Sequence, residues 1–315
     1  MDPDANAKLR LGWLGVGRMG YPLASRLLDA GCDLGVYNRT RAKAEPLTER
    51  GAIVVDRPAD LADRDIVFTM VAGSNDFTEV TIGPEGVLSQ DGTVPRIVID
   101  SSTVSIEAST KVRDQAAKVG SALLAAPVSG NPKVVKAGRL TFAVSGPKEA
   151  FDEALPYLEF LGMAVSYVGE GELSRLVKIC HNLMLGVVTQ SLAEITILAE
   201  KGGVPRHSFL EFLNSSVMGS TFTRYKTPAF VNLDMTPTFT PELLLKDFDL
   251  GLEAAANLNV PMPVSALVRE LVMGLIGRGI TEEDFAALLR VQAEASGLEL
   301  EPEDVEVSDG LGGGS

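Results

Sequence analysis

Short apolar runs of strand length alternate with helix-length segments through the first half of the chain. The predicted strands lie at residues 9–16, 33–38, 66–71, 97–101, 122–126, 140–145 and 164–168. Strands that alternate with helices form βαβ units, which build a mostly parallel sheet with helices on both faces. The sequence therefore predicts an α/β domain over residues 8–168.

The pattern changes near residue 170, where one long helix is predicted over residues 171–201. Its apolar residues occur on every side, so most of its surface must be buried. Further helices are predicted at residues 206–215, 221–232, 242–258, 264–277 and 282–296. We expect an all-α domain over residues 169–297, led by this long interdomain helix. Because a second subunit covers such a helix more easily than one small domain, we also expect a homodimer.

The last residues, 298–315, differ from the rest of the chain in composition. They contain six acidic residues and no basic residue, and they end in Gly-Leu-Gly-Gly-Gly-Ser. A segment of this composition is poor in the apolar surface needed for a core. The sequence therefore predicts an acidic, flexible tail.

The overall charge and the scarcity of cysteine and histidine exclude several classes of function. The chain has 28 basic and 42 acidic residues, a formal net charge of −14, which makes nucleic acid and anionic membranes poor partners. No segment is expected to be long and apolar enough to span a membrane. The acidic N-terminus is unlike a signal peptide, so we expect a cytoplasmic protein with reduced thiols. The two cysteines, Cys32 and Cys180, are too few and too far apart for a zinc site, and no metal is expected.

A glycine-rich pattern, G-x-G-x-x-G, follows the first predicted strand and opens the first predicted helix. Its residues are Gly15, Val16, Gly17, Arg18, Met19 and Gly20. In this context Gly15 allows a tight turn, Gly17 lets the backbone approach a pyrophosphate, and Gly20 lets helix and strand pack closely. The N–H groups of the helix N-terminus would bind the phosphates. The pattern predicts a Rossmann dinucleotide-binding domain. The alternative is a glycine-rich turn that holds no ligand.

The end of the second predicted strand bears on which dinucleotide binds. An NAD site usually has an acidic residue there to bind the ribose 2′-hydroxyl. This chain has Asn38, which does not repel a 2′-phosphate, followed by Arg39 and Thr40, which can bind one. The sequence therefore predicts that NADP(H) is preferred over NAD(H). The alternative is that Arg39 is a solvated surface residue.

Two polar residues, Lys178 and Asn182, interrupt the apolar long helix. They are four residues apart and so share a face, which His181 borders. Burial lowers the pKa of a lysine, and such a lysine suits proton transfer to a carbonyl that is being reduced. The alternative is that Lys178 reaches solvent and Asn182 caps a neighbouring segment. For His181 a packing or supporting role is favoured.

Five motifs occur in order along the chain: Gly15–Gly20, Asp100-Ser-Ser-Thr103, Ala126-Pro-Val-Ser129-Gly130, Gly169-x-Gly171 with Lys178-x-x-x-Asn182, and Leu245-Lys246-Asp247. In this order they resemble the motifs of the β-hydroxyacid dehydrogenases, and the resemblance covers residues 8–296. The family includes 3-hydroxyisobutyrate dehydrogenase, tartronate semialdehyde reductase and glyoxylate/succinic semialdehyde reductase, with a 6-phosphogluconate dehydrogenase-like fold. The resemblance implies hydride transfer between a nicotinamide cofactor and a small β-hydroxy acid or the matching semialdehyde or keto acid.

The same resemblance implies the role of each site residue. Lys178 would be the general acid or base, and Asn182 would hold the substrate and orient Lys178. Ser129 and the N–H of Gly130 would bind the substrate carboxylate, with Asn131 beside them.

Further residues would contact the cofactor. The backbone around Val71 and Ala72 would touch it, and Thr103 would lie by the nicotinamide. Lys246 would lie near the cofactor and the substrate, with Asp247 orienting it.

Four residues depart from the family pattern, and they leave the substrate open. Ala125 stands where the family has Asp, Asn131 where it has a second Gly, and Glu172 and Ser174 where the catalytic motif has glycines. Asn131 would either bind substrate or shape the turn. Two alternatives remain, an imine reductase-like activity and a non-catalytic NADP-binding scaffold. Lys178 argues against both, because imine reductases replace this lysine and scaffold relatives are expected to lose it.

Overall fold

The structure, a computed structural model, describes residues 9–89 and 92–312. The chain forms two compact units, Met1–Lys178 and Ile179–Ser315. The predicted domain boundary lies between residues 168 and 169, whereas this division falls inside the long helix, after Lys178.

The first unit contains a nine-stranded sheet. Its strands are β1 (Arg10–Leu14), β2 (Asp33–Tyr37), β3 (Ile53–Val54), β4 (Ile66–Thr69), β5 (Ile97–Asp100), β6 (Ala122–Ala125), β7 (Val128–Ser129), β8 (Thr141–Ser145) and β9 (Ala164–Gly169). The strand order is β3-β2-β1-β4-β5-β6-β8-β7, and β9 pairs with β8. Strands β1 to β6 run parallel, while β8 is antiparallel to β6 and β7. The predicted α/β Rossmann domain is confirmed, and the two-residue strands β3 and β7 were missed because they are too short to show a periodic pattern.

Helices cover both faces of this sheet. They are α1 (Gly20–Asp29), α2 (Ser74–Ile82), α3 (Ile106–Lys118), α4 (Pro132–Lys136) and α5 (Lys148–Leu161). Successive residues of β1 point to opposite faces, so Trp13 packs in the core that includes α1 and α5, while Leu14 packs in the core that includes α2 and α3. This two-faced burial explains why the strands are apolar throughout.

The remaining elements are helical, as predicted. They are α6 (Leu173–Lys201), α7 (Arg206–Ser215), α8 (Thr221–Asn232), α9 (Pro241–Asn257), α10 (Pro263–Gly277) and α11 (Leu288–Ala295). The helix predicted over residues 282–296 starts later, because residues 285–287 form a 3-10 turn. The carboxylate of Asp284 caps that turn by accepting a hydrogen bond from Ala286 N.

The long helix α6 corrects one expectation. It is long and apolar enough to cross a membrane by length and composition, although no such segment was expected. The expectation failed because isolated polar residues interrupt the apolar run without lowering its average hydropathy enough. Half of its most apolar 18-residue window is buried inside the structure. A core helix of a globular domain meets the same criteria, so this helix alone argues only weakly for a membrane span.

The acidic tail packs against the helical unit, and the prediction of a flexible tail is wrong for residues 298–312. The Glu303 carboxylate accepts hydrogen bonds from the backbone N–H groups of Arg206 and His207, at 2.7 and 2.9 Å, and so caps the start of α7. Asn232 Nδ2 donates to the carbonyl oxygen of Val305. Apolar residues spaced among the acids supply the packing that composition alone did not reveal, and Leu311 is buried. Residues 313–315 lie outside the described residues.

Candidate functional site

The segments predicted to bind the cofactor follow four neighbouring strands of the sheet. The glycine-rich loop follows β1, residues 38–40 follow β2, residues 71–72 follow β4, and residue 103 lies after β5. These strands are adjacent and parallel in the order β2-β1-β4-β5, so their carboxyl ends lie along one edge. The crevice outside this edge is where open α/β sheets bind ligands, at the point where the strand order reverses.

The three glycines of the glycine-rich loop differ in what a side chain would meet at each position. Gly15 has a φ of +96°, and a Cβ atom there would collide with the backbone of Met70. A Cβ atom at Gly20 would collide with the carbonyl of Gly15. At Gly17, by contrast, a Cβ atom would meet no other atom within 4 Å. The fold itself requires Gly15 and Gly20, whereas Gly17 faces the open space that a dinucleotide needs.

The other residues of this loop frame that space. Met19 is the N-cap residue of α1, no side chain caps the first turn, and no acidic residue lies in it. Arg18 is exposed and Val16 is buried. The N-terminal N–H groups of α1 therefore have the character of an anion site, and the loop residues fit a bound pyrophosphate.

Asn38 holds the glycine-rich loop through both ends of its side-chain amide. Its Oδ1 accepts a hydrogen bond from Val16 N at 3.0 Å, and its Nδ2 donates to the carbonyl oxygen of Thr40 at 2.8 Å. Gly15 N also donates to the carbonyl oxygen of Tyr37. The sequence showed that Asn38 carries no charge but gave no sign that both ends of its amide hold the backbone.

Arg39 forms an exposed ion pair. Its Nη1 lies 2.8 Å from Asp76 Oδ1 in the first turn of α2, and its side chain is 81% exposed. Exposed pairs of this kind contribute only about 0–1 kcal/mol. Asp76 was missed by the sequence analysis, because a contact between residues 37 positions apart leaves no local pattern. Arg39 is thus accessible to an anion that would compete with Asp76.

The loops after β4 and β5 are joined by hydrogen bonds. Val71 N donates to Ser102 Oγ at 2.9 Å, and Ser102 N donates to Asp100 Oδ1 at 3.1 Å. Ala72 and Thr103 are exposed beside these contacts. The structure therefore brings the predicted cofactor segments 71–72 and 101–103 together on one hydrogen-bonded support.

A chain of alternating charges connects the end of β5 with the start of α6. Arg175 lies 2.7 Å from Asp100 and 3.0 Å from Glu172, and Glu172 lies 2.8 Å from Arg113. Asp100 and Arg175 are almost completely buried. No sequence motif marks Arg175 or Arg113, and Glu172 stands out in the sequence only as a departure from the family pattern. The structure gives that departure a role as the central carboxylate between two arginines.

Two further departures contact each other. Ser174 Oγ donates a hydrogen bond to the carbonyl oxygen of Ala125 at 2.8 Å, and it also bonds to Ser145 Oγ. Ser174 is completely buried in the first turn of α6. Ala125 and Ser174 stand where the family has Asp and Gly. In this chain the two residues are therefore joined by a hydrogen bond that connects β6 with α6.

The predicted substrate segment forms the turn between β7 and α4. Gly130 has a φ of +140°, and a Cβ atom there would collide with Val134 and Leu140, so only glycine fits. Asn131 Oδ1 accepts hydrogen bonds from the backbone N–H groups of Lys133 and Val134, at 3.0 and 3.1 Å. Of its two predicted roles, Asn131 fills that of shaping the turn. Ser129 is half-buried at the end of β7.

In the helical unit, a hydrogen-bonded chain holds the side chain of Asn182. Its Nδ2 donates to Asp247 Oδ2 at 2.6 Å, and its Oδ1 lies 2.9 Å from His181 Nδ1. Since Oδ1 can only accept, His181 Nδ1 is the donor. Asn182 and Asp247 are buried. Both ends of the Asn182 amide are thus fixed, which gives His181 the supporting role that was favoured.

The Asn182 contact depends on a close crossing of α6 and α9. A Cβ atom at Gly186 would collide with Phe248, and one at Gly251 would collide with Leu183. Glycines at these positions let the two helices approach, which brings Asp247 to Asn182.

Lys246 and Asp247 are consecutive residues of α9, and the predicted role of Asp247 in orienting Lys246 stays a prediction. Lys246 is exposed, and its side chain has no ion pair among the described residues. Consecutive residues of a helix point in directions about 100° apart, so Asp247 faces α6 while Lys246 does not.

Lys178 is half-buried and lies one turn before Asn182 on α6. The continuous helix keeps both residues on one face, as the spacing predicted. Within the described residues, no group of three or more His, Cys, Asp or Glu side chains could hold a metal ion.

A second buried charge pair lies in the helical unit. Lys226 Nζ is 2.5 Å from Asp284 Oδ1, both side chains are 2% exposed, and the ammonium lies 4.2 Å from the centre of the Phe285 ring. Burial opposes ionisation of Asp284, but Lys226 and hydrogen bonds from Thr238 and Ala286 N outweigh it, so the pKa of this carboxyl lies below its ordinary range. No local sequence pattern marks this pair, whose members are 58 residues apart.

Two family models and several proteins are similar to this chain. The NAD binding domain of 6-phosphogluconate dehydrogenase matches residues 10–169, and the NAD-binding domain of NADP-dependent 3-hydroxyisobutyrate dehydrogenase matches residues 172–292. The chain is 32% identical over 294 residues to 2-(hydroxymethyl)glutarate dehydrogenase of Eubacterium barkeri, covering 92% of this chain and 97% of that protein. It is 31% identical over 269 residues to 3-hydroxyisobutyrate dehydrogenase of Pseudomonas aeruginosa, covering 83% and 90%.

A solved structure extends the similarity to the fold of both units. The 3-hydroxyisobutyrate dehydrogenase of Mycobacterium tuberculosis, crystallised with L-serine, has a TM-score of 0.76 and 26% sequence identity to this chain. The match covers 90% of this chain and 98% of that one.

Proposed function

Since the chain belongs to the β-hydroxyacid dehydrogenase family and is an NAD(P)-dependent dehydrogenase acting on a CH–OH group, we propose that Lys178 is its general acid and base. The substrate would be a small β-hydroxy acid or the matching semialdehyde or keto acid. The observation that carries this proposal is the pair Lys178 and Asn182 on one face of α6, with the Asn182 amide fixed from both sides.

Each residue has a defined part in the proposed reaction. When bound, the nicotinamide supplies or accepts the hydride. Lys178 donates a proton to the carbonyl oxygen during reduction and takes it back during oxidation. Asn182 holds the reacting oxygen and keeps Lys178 oriented. Because Lys178 supplies the proton, the reaction requires no metal ion.

The substrate carboxylate would lie against the turn after β7. Ser129 Oγ and the N–H of Gly130 are the proposed donors to it. The positive φ of Gly130 fixes the direction of that N–H, and Asn131 holds the turn through its cap on α4. Lys246 adds a positive charge to the proposed anion-binding machinery.

NADP(H) is the proposed coenzyme, preferred over NAD(H). Asn38 brings no negative charge, and Arg39 and Thr40 are exposed beside it. A 2′-phosphate would displace Asp76 from Arg39, because the exposed ion pair is weak and phosphate carries more charge than one carboxylate.

The proposed assembly is a homodimer in the cytoplasm. Large apolar side chains of α6 are exposed in the single chain, among them Met184, Ile195 and Leu198. Exposed apolar residues of this kind mark interaction surfaces. Light scattering at micromolar concentration should show a dimer, and a stable monomer would contradict it. Cell fractionation should find the protein with the cytoplasmic enzymes.

The test of the proposed function is an assay of reduced nicotinamide absorbance with both coenzymes and a panel of small acids, semialdehydes and cyclic imines. The expected result is turnover of a β-hydroxy acid or semialdehyde, with a higher kcat/KM for NADPH than for NADH. Turnover of imines alone would favour the imine reductase alternative. Coenzyme binding without turnover of any substrate would favour the scaffold alternative.

A further inference from the structure

We propose that Arg175 is a positioning residue, which sets the place of Lys178 relative to residues 101–103. We call these residues the nicotinamide-side segment, because Thr103 is expected to lie by the nicotinamide. The inference rests on the proposed role of Lys178. Arg175 precedes Lys178 by three residues, which is about one turn of α6. No motif in the sequence marks Arg175, and its significance comes from what its guanidinium contacts.

The Arg175 guanidinium joins three groups from different parts of the first unit. Its Nη2 donates to Asp100 Oδ2 at 2.7 Å, its Nη1 donates to the carbonyl oxygen of Ser102 at 3.2 Å, and its Nε donates to Glu172 Oε2 at 3.0 Å. The side chain is only 4% exposed. A planar guanidinium with fixed donor directions can hold these three groups at once, whereas a lysine ammonium at the same place cannot.

The carboxylate of Asp100 extends this support to the neighbouring strand. Its Oδ1 accepts a hydrogen bond from Thr69 Oγ1 at 2.5 Å and another from Ser102 N at 3.1 Å. Ser102 Oγ in turn accepts from Val71 N. Both segments that are proposed to contact the coenzyme therefore rest on the group that Arg175 binds.

Arg113 binds the other oxygen of Glu172 and so fixes the residues that come just before α6. Arg113 donates from Nε to Glu172 Oε1 at 2.8 Å and from Nη2 to the carbonyl oxygen of Gly171 at 2.9 Å. Arg113 also donates from Nη1 to the carbonyl oxygen of Leu123 in β6. The two arginines and the two acids, Asp100 and Glu172, balance in charge, so the network holds the first turn of the helix without a net buried charge.

These contacts couple the position of Lys178 to that of residues 101–103. The proton donor sits on the turn of α6 that follows Arg175, and the nicotinamide-side segment 101–103 follows Asp100. One guanidinium spans the two, so a shift of either side changes the approach of the Lys178 ammonium to the reacting carbonyl. Misplacement of a catalytic group by about 1 Å can reduce the rate about 100-fold.

The experiment compares Arg175→Lys with Arg64→Lys. The lysine at 175 keeps a positive charge beside Asp100 but cannot keep all three contacts. Arg64 is the matched control, because it pairs with Asp33 at the amino-terminal end of β2, away from the strand ends that form the site, and is only 10% exposed. Arg175→Lys should lower kcat by about 10- to 100-fold, with a smaller change in the coenzyme Kd. Arg64→Lys should lower the unfolding midpoint about as much as Arg175→Lys does, but it should leave kcat unchanged.

A double-mutant cycle separates positioning from general loss of structure. With Lys178→Ala already present, the change of Arg175 should have no further effect on the residual rate, because no lysine remains to be positioned. The primary isotope effect on kcat with deuterated NADPH should rise in Arg175→Lys, since the chemical step becomes slower than product release.

The outcomes distinguish this inference from the proposed function. Near-normal turnover in Lys178→Ala contradicts the proposed function, and the inference falls with it. A large loss in Lys178→Ala together with an equal additional loss on changing Arg175 overturns only the positioning role. An Arg175→Lys enzyme with unchanged kcat also overturns it.

Discussion

Two buried ion pairs in this protein have similar burial but different surroundings. Lys226 and Asp284 lie inside the helical unit, where the ammonium sits over Phe285 and the carboxylate caps a 3-10 turn. Arg175 and Asp100 lie in the first unit, where the pair joins the end of β5 to the first turn of α6. Buried charge alone does not identify a functional site. The position of a pair relative to the strand ends and to Lys178 makes the difference.

The comparison predicts that changes near α6 alter the rate, whereas changes at the Lys226 pair alter stability. Removing one partner of a buried pair leaves the other charged and without its compensation. At Lys226 that cost should appear only in folding, because every contact of the pair lies within the helical unit. The following variants test this division, beginning with the largest expected effect.

Lys178→Ala should lower kcat by about 100- to 10,000-fold, the usual contribution of a positioned general acid. The unfolding midpoint and the coenzyme Kd should stay near those of the wild type. Lys178→Arg is the matched variant, because it keeps the charge but cannot release a proton near neutral pH. Steady-state kinetics and coenzyme titration measure both. An active Lys178→Arg enzyme would mean that charge alone is sufficient.

Lys226→Met should destabilise the protein by about 3–5 kcal/mol, because Asp284 is left buried without its ammonium. Combining Lys226→Met with Asp284→Asn should recover part of this loss, since the uncompensated charge is removed. Denaturant unfolding gives the free energies, and kcat per folded molecule should match the wild type. A drop in kcat comparable to that of Arg175→Lys would break the comparison of the two pairs.

Arg39→Ser should lower kcat/KM for NADPH by about 10- to 100-fold, the effect of losing a charge-assisted hydrogen bond of about 1.5–3 kcal/mol. The value for NADH should not change. Asp76→Asn removes the competing carboxylate, so it should leave kcat/KM for NADPH equal or higher. An equal loss with both coenzymes would show that Arg39 supports the loop and does not recognise the 2′-phosphate.

Glu303→Gln should cost about 1 kcal/mol, since a charged cap at the start of α7 is replaced by a neutral one. Burial opposes ionisation of Glu303, but hydrogen bonds from His207 and from Arg206 N keep its pKa below the ordinary value. A carboxyl with a lowered folded pKa stabilises the protein above its unfolded pKa, about 4.3, and the contribution is lost as the pH falls through the folded pKa. Unfolding curves between neutral and acid pH should therefore converge for the two proteins, and a constant difference would contradict the cap.

Much of the first unit follows from local sequence. The glycine-rich loop could be predicted because Gly15 needs a left-handed φ and Gly20 a close approach, and both requirements act within a few residues. The direction of a side chain is not local, so the missing charge of Asn38 could be read from the sequence, whereas the hold of its amide on the loop could not.

Long-range contacts account for the rest of what the sequence did not show. Arg175 binds a partner 75 residues away, and nothing near it indicates burial. The tail was judged by its acidic composition, yet Glu303 finds backbone donors 96 and 97 residues away at the start of α7. The order of motifs identified the family, while these contacts decide how the family site is supported in this chain.

The most direct test of the central claim is the transfer of deuterium from NADPH that carries deuterium at both C4 positions of the nicotinamide, during reduction of a semialdehyde substrate. The account predicts one deuterium on the carbon that bears the new hydroxyl group, at a rate that falls in Lys178→Ala. Product without the label at that carbon, or coenzyme binding with no turnover of any substrate in the panel, would contradict it.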